Sequence, residues 1–326
     1  MDVRRRHFTL ALGLLGTGAL TACSDPPPQI SRLGGDDRPL TMRLSPAADL
    51  ALMGSVHNGA VLWRWEDGQI VARLEHRPGA HADVMAAAFS PDGRWAATGE
   101  RDSVVLWDLM ARRALGFWAP PGGVRALAVA DGGQRVLVGL STQQAWIIDP
   151  RGGTTPAVIE QADAVGVTYL WPDGRTGLTG TDDGMLRVWD LERGEATLTA
   201  RFDRPLATVA LSADHELLFA APFHGPARLW RLKDGRVLHE EWGERRISLS
   251  SARFSADGRR LLTGSPSGEV RLWSVKSGKV LQRWQTPKPD PVRPSAAGIL
   301  DVAFTPDHAS VIAALADGSV IVWPKG

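Results

Sequence analysis

The chain has one cysteine, Cys23, in 326 residues. A single thiol excludes an intrachain disulfide, a Cys-pair metal site and a covalently attached c-type haem. Stability must therefore come from packing. Catalytic signatures are missing as well. No Gly-rich phosphate loop follows a strand, and there is no nucleophile elbow and no His-Glu-x-x-His. No long helical period appears anywhere. The apolar run at residues 10–20 has eleven residues, too short to cross a bilayer as a helix. Charge of one sign is scarce too: Lys+Arg 37 against Asp+Glu 36 leaves a net +1. That balance offers no phosphate-binding field and argues against nucleic acid as a partner. The remaining composition, 44% hydrophobic and 22% charged, is globular.

What the sequence does have is a repeat. The unit from His81 to Trp118 holds an apolar strand, the turn Ser90-Pro91-Asp92-Gly93, and a second strand with Thr98-Gly99. A turn with Asp102 follows, then the strand Val104-Val105-Leu106-Trp107 and a fourth strand ending at Trp118. The Trp107 position recurs as Trp63, Ile148, Trp189, Trp230, Trp273 and Trp323, at intervals of 44, 41, 41, 41, 43 and 50 residues. A fixed period near 40 means a stacked or radial array. The first turn recurs as Trp171-Pro172-Asp173-Gly174, Ser255-Ala256-Asp257-Gly258 and Thr305-Pro306-Asp307-His308. Pro presets φ there, Asp bonds local backbone and Gly accepts positive φ. Strand alternation places Arg187 and Arg271 on the opposite face from their neighbours, at blade surfaces.

These copies resemble WD repeats. Seven of them imply an all-β fold, a seven-bladed β-propeller over residues 30–326. In that family His, Ser/Thr, Asp and Trp of one blade form a hydrogen-bonded structural set. The matching residues here are His81, Thr98, Asp102 and Trp107; then Thr179, Asp183 and Trp189; then Asp317 and Trp323. Elsewhere the turn position holds His57, His224 or Ser267. The chain ends three residues after Trp323, so the last blade has only three strands of its own. Ile30–Leu33 lies ten residues before the first blade's opening strand, the spacing of a fourth strand. It is expected to pair beside Val320–Trp323 and close the ring, covering an otherwise open edge. The resemblance also places the loops between blades on the top face. Those loops carry Arg77, Arg204, Arg245, Arg246, Lys288 and Arg293, a candidate polar binding rim. The longest, Thr286 to Pro294, is stiffened by four prolines.

The N-terminus has a separate logic. Arg4-Arg5-Arg6, the apolar run and Leu20-Thr21-Ala22-Cys23 resemble a bacterial lipoprotein signal. The resemblance implies cleavage of residues 1–22, acylation of Cys23, and a Pro-rich tether over 23–29. Arg5-Arg6-His7-Phe8 partly matches a twin-arginine export signal. Cleavage would lower Lys+Arg to 34 and Asp+Glu to 35, for a net charge of −1. Ser24 after the acylated residue favours the outer membrane, facing the periplasm.

The functional expectation is a membrane-anchored, non-enzymatic interaction scaffold in the bacterial cell envelope. It would be a monomeric propeller within a complex, docking one or more envelope proteins, with no catalytic residue, metal or cofactor. Two alternatives stand beside it: a glycan-binding module, and an envelope enzyme or cofactor protein using the central channel. His57 and His224 are turn residues of non-adjacent blades, and the turn carboxylates suit blade stabilisation better than Ca²⁺ or acid-base work.

Overall fold

A computed structural model describes residues 27–35, 37–56, 58–77, 79, 83–153, 155–242, 248–287 and 297–325. These form seven four-stranded antiparallel sheets, the blades of a seven-bladed β-propeller. Blades 1 to 6 are consecutive in sequence: residues 39–74, 86–118, 124–160, 165–201, 206–242 and 251–285. Blade 7 combines residues 299–324 with the N-terminal strand Gln29–Arg32. The first strands of neighbouring blades touch all the way round, blade 7 against blade 1 included, so the ring is closed.

Closure uses the N-terminal strand. Gln29–Arg32 runs antiparallel to Ser319–Pro324, with Ile30 opposite Ile321 and Ser31 opposite Val320. Leu33 lies just past the strand. Its N–H donates to the Gly318 carbonyl at 3.0 Å, and its side chain is buried in one apolar cluster with Met53, Ile312 and Val320. The strand therefore begins one residue before the expected segment, and Leu33 serves as a plug.

Each blade is narrow because period-two alternation gives it two apolar faces. Both faces are buried, since blades stack face to face around the ring. Arg271, expected at a blade surface, is only 5% exposed and pairs with Glu269 at 2.7 Å. Arg187 is half-buried and donates to Gln161 Oε1, just after the last strand of the preceding blade, at 2.9 Å. In a propeller the side of a blade is an interface.

Glycine sets how closely blades approach. A Cβ on Gly139 would lie 2.6 Å from the Val165 carbonyl oxygen, and one on Gly180 would lie 2.7 Å from Leu206 Cδ1. Both clashes are with the opening residue of the next blade's first strand. The same relation joins Gly99 to Val124 and Gly264 to Ile299, and Gly54 meets Val84, two residues before the first strand of blade 2. Ile148, which stands in blade 3 where other blades carry Trp, is buried beside Val136, Val138 and Trp118.

Candidate functional site

The first strand of every blade lines a central cavity of about 490 Å³. Entry to that strand is irregular. Register shifts leave Leu40, Arg125, Gly166, Ala207 and Leu300 as single extra residues in blades 1, 3, 4, 5 and 7. Met85 and Ser250 hold the same place in blades 2 and 6, each donating its N–H to the carbonyl of the glycine at the bulge partner position, Gly99 or Gly264. A β-bulge re-aims the side chain it carries. These residues sit where each first strand begins, on the top face with the blade-to-blade loops; Met85, Arg125, Ala207 and Ser250 also line the central cavity.

These bulge residues decide the character of that face. Leu40 is 44% exposed and Met85 is 51% exposed. On the same face, Val56 is exposed in the turn of blade 1, and Phe223 is 50% exposed in the turn of blade 5. Phe223 meets the His224 ring edge-on at 4.5 Å, and His224 Nδ1 is 2.8 Å from Ser248 Oγ. Arg125 is ion-paired with Asp182 of the next blade.

The expected polar rim is only partly described. Arg77 is exposed in the loop from blade 1 to blade 2, and Arg204 in the loop from blade 4 to blade 5. The ring places these two on well-separated blades. Arg245, Arg246, Lys288 and Arg293 lie outside the described residues, as do Cys23, His57 and His81. Among the described residues, no group of three or more His, Cys, Asp or Glu is arranged to hold a metal ion.

A polar chain is buried in blade 2. Trp107 Nε1–H donates to Thr98 Oγ1 at 2.7 Å, and Thr98 Oγ1 is 2.7 Å from His76 Nε2. His76 Nδ1 is 2.7 Å from Ser103 Oγ, and Ser103 donates to Glu100 Oε2 at 3.0 Å. The histidine that reaches Thr98 is thus His76, five positions before His81. Asp102 is exposed, and Glu100 is the buried acid of the chain. One neutral tautomer satisfies every member: Thr98 donates to Nε2 and Nδ1–H donates to Ser103. Burial holds the His76 pKa down to about 4; Asp102 pulls it up and Arg77 pushes it further down. Burial raises that of Glu100, and the Ser103 hydrogen bond opposes the rise.

Comparison with known proteins fits this geometry. The family model described as "WD domain, G-beta repeat" matches residues 69–108, 159–190, 242–274 and 292–324. Among similar proteins is the WD repeat-containing protein SL1-17 of Schistosoma mansoni. It is 24% identical over 191 residues, which is 57% of this chain and 63% of that protein. The human angio-associated migratory cell protein is 24% identical over 223 residues, 63% of this chain and 50% of its own length. The Arabidopsis thaliana WD repeat-containing protein RUP1 is 31% identical over 119 residues, 35% of this chain and 29% of its own. The comparisons support a WD-repeat propeller. The matched region spans between half and just under two thirds of the first two relatives.

The WD-repeat pattern accounts for several bonds. Trp189 Nε1–H donates to Thr179 Oγ1 at 2.8 Å, and Asp183 accepts from Thr181 Oγ1 at 2.5 Å. Asp317 accepts the Ser319 N–H at 3.0 Å, and Trp323 is buried in the core of blade 7. Sequence reasoning missed one further pair: Trp273 Nε1–H donates to Thr263 Oγ1 at 2.9 Å. The spacing of ten residues between Thr and Trp, as in Thr179 and Trp189, was the available signal. It also missed the bulges, because each adds one residue without changing the apolar pattern around it.

Proposed function

We propose that the protein is a non-enzymatic protein-interaction scaffold that docks through its top face. One observation carries this reading: a closed ring that exposes Leu40, Met85, Val56 and Phe223 on one face. Exposed apolar side chains grouped on a soluble surface mark interaction sites. The closed ring holds them at fixed separations, so a partner loses little entropy in matching them. The match to WD-repeat proteins supports a scaffold role in the same sense.

The finer reading is a lipid-anchored scaffold of the bacterial cell envelope, acylated at Cys23 and facing the periplasm from the outer membrane. Its support is the N-terminal run of Arg4-Arg5-Arg6, apolar residues and Leu20-Thr21-Ala22-Cys23. Two or more acyl chains would anchor it stably. Its partner is an envelope protein.

In-cell crosslinking followed by affinity capture tests the docking face. The wild-type chain should yield one dominant envelope protein, and Leu40→Asp with Met85→Asp should lose it while keeping the melting temperature. Equal capture by the double variant would remove the top face from the argument. Cys23→Ala tests the anchor separately, and should release the protein from membranes or leave an uncleaved precursor. A mature-sized, membrane-bound product would refute acylation at this position.

A further inference from the structure

Three residues past each bulge, the first strands place seven equivalent positions in one layer of the channel. Four are alanine: Ala88, Ala128, Ala210 and Ala303. The others are Arg43, Arg253 and Tyr169, the only tyrosine of the chain. All but Ala303 line the cavity. Small residues at four places leave room for the three large ones and for something more.

The three large residues are not equally engaged. Arg253 Nη2 lies 3.3 Å from Asp301 Oδ2 and 3.2 Å from the Leu44 carbonyl, and its Nη1 donates to the Ser45 carbonyl at 3.3 Å. Asp301 is satisfied in turn: it accepts from Leu44 N at 2.9 Å, Ser251 Oγ at 2.8 Å and Val302 N at 2.9 Å. That pair is neutral and committed to blade packing. Arg43 is exposed and has no hydrogen-bond or ion-pair partner among the described residues. The Tyr169 ring is held edge-on by Trp171 at 5.7 Å, and its hydroxyl has no partner among the described residues. Burial pushes the Tyr169 pKa above its ordinary value and the Arg253 charge draws it back, so the hydroxyl is a donor at neutral pH. The channel layer therefore holds one uncompensated cation and one free donor.

The geometry points to a binding site for a small monocarboxylate with an apolar body, with Arg43 taking the carboxylate and Tyr169 donating a second hydrogen bond. The planar guanidinium matches a carboxylate with two parallel bonds. Ala88, Ala126 and Ala252, which line the same cavity and are only partly buried, would cover the hydrocarbon. One free charge matches one negative charge, whereas a dianion would leave surplus charge against an apolar wall. The volume of about 490 Å³ is within the ordinary range for small-molecule sites. This site lies inside the channel, below the docking rim, and does not depend on the partner.

Isothermal titration of the purified full chain with hexanoate, 1-hexanol, hexylamine and inorganic phosphate tests it. Hexanoate should bind at least tenfold more tightly than 1-hexanol, and hexylamine should not bind. Arg43→Gln should weaken hexanoate at least tenfold, and Tyr169→Phe severalfold, both without a change in melting temperature. Absence of hexanoate binding to the wild type, or equal binding by Arg43→Gln, overturns the site. Phosphate binding as tightly as hexanoate overturns the ligand class. Loss of the partner on the Leu40 and Met85 variants with hexanoate binding intact would separate this site from the docking face.

Discussion

At the scale of single residues, the polar chain of blade 2 makes the protein sensitive to pH. His76 has its ring buried, and its folded pKa of about 4 is below the ordinary 6.5. The unfolded chain therefore takes up a proton that the folded one refuses, and stability falls as pH drops from about 6.5 towards 4. At completion the loss is about 3 kcal/mol. Glu100 has the opposite sign, because burial raises its folded pKa and protonation relieves the buried charge. Its window opens lower, near the carboxylate range, so the His76 loss comes first on acidification. Urea midpoints at pH 7.5, 6 and 5 should fall in order for the wild type, and His76→Gln should flatten that trend. The turn carboxylates Asp214, Asp257 and Asp307 add to acid sensitivity further down. Each is held below its ordinary value by a side-chain hydrogen bond from Ser212, Ser255 or Thr305, then by backbone N–H groups. Their contribution is present above the carboxylate range and is lost as pH falls through it.

At the scale of elements, two devices join strands that are not neighbours in sequence. The first is the glycine at the second strand, where the next blade's first strand comes close. Gly139→Val would push a branched side chain into the Val165 backbone, which cannot rotate away. We expect a loss of about 3 kcal/mol or more, since overpacking a tight interior ordinarily costs about 1–3 kcal/mol even where side chains can adjust. Chemical denaturation measures it, and an unchanged midpoint would contradict the packing. Gly68→Ala, at an open turn position with positive φ, is the control for backbone strain alone. The second device is the strand Gln29–Arg32. Deleting residues 29–33 should expose the edge of Ser319–Pro324 and empty the Leu33 site. The whole propeller should then melt earlier in a single transition, with new self-association through the open edge. Calorimetry and light scattering read both. The repeat period made both devices partly legible. The missing fourth strand of blade 7 could be counted, and Thr98-Gly99 stood in a strand. That Gly99 faces Val124 of the next blade could not be read, because the contact crosses between repeats.

At the scale of the whole molecule, the ring is fastened twice at one seam. On the outside, the N-terminal strand completes blade 7. On the inside, Arg253 of blade 6 reaches past Asp301 of blade 7 to the Leu44 and Ser45 carbonyls of blade 1. Asp301 ties the same three blades through Ser251, Val302 and Leu44. Asp301→Ala would leave the guanidinium and several N–H and O–H donors unpaired. Breaking a buried pair costs about 3–5 kcal/mol; here, with Arg253 partly solvated, about 2–3 kcal/mol is expected. Thermal unfolding checks this, and Arg253→Met in the same background should recover part of the loss by removing the stranded charge.

The sequence by itself determined the number of blades, the position of each third-strand aromatic and the identity of the closing segment. All three are local or periodic properties, visible in spacing and alternation. Thr98 and Thr179 could be matched to their tryptophans for the same reason. The tertiary structure alone decided that His76 is the histidine of blade 2 and that Glu100 is its acid. It also decided that Arg271 is buried and that Leu40 and Met85 stand exposed at the irregular entry to the first strands. It alone brought Arg43, Tyr169 and Arg253 into one layer. Those residues come from the first strands of three different blades, far apart in the chain, and they share a layer only because seven blades turn through a full circle and meet.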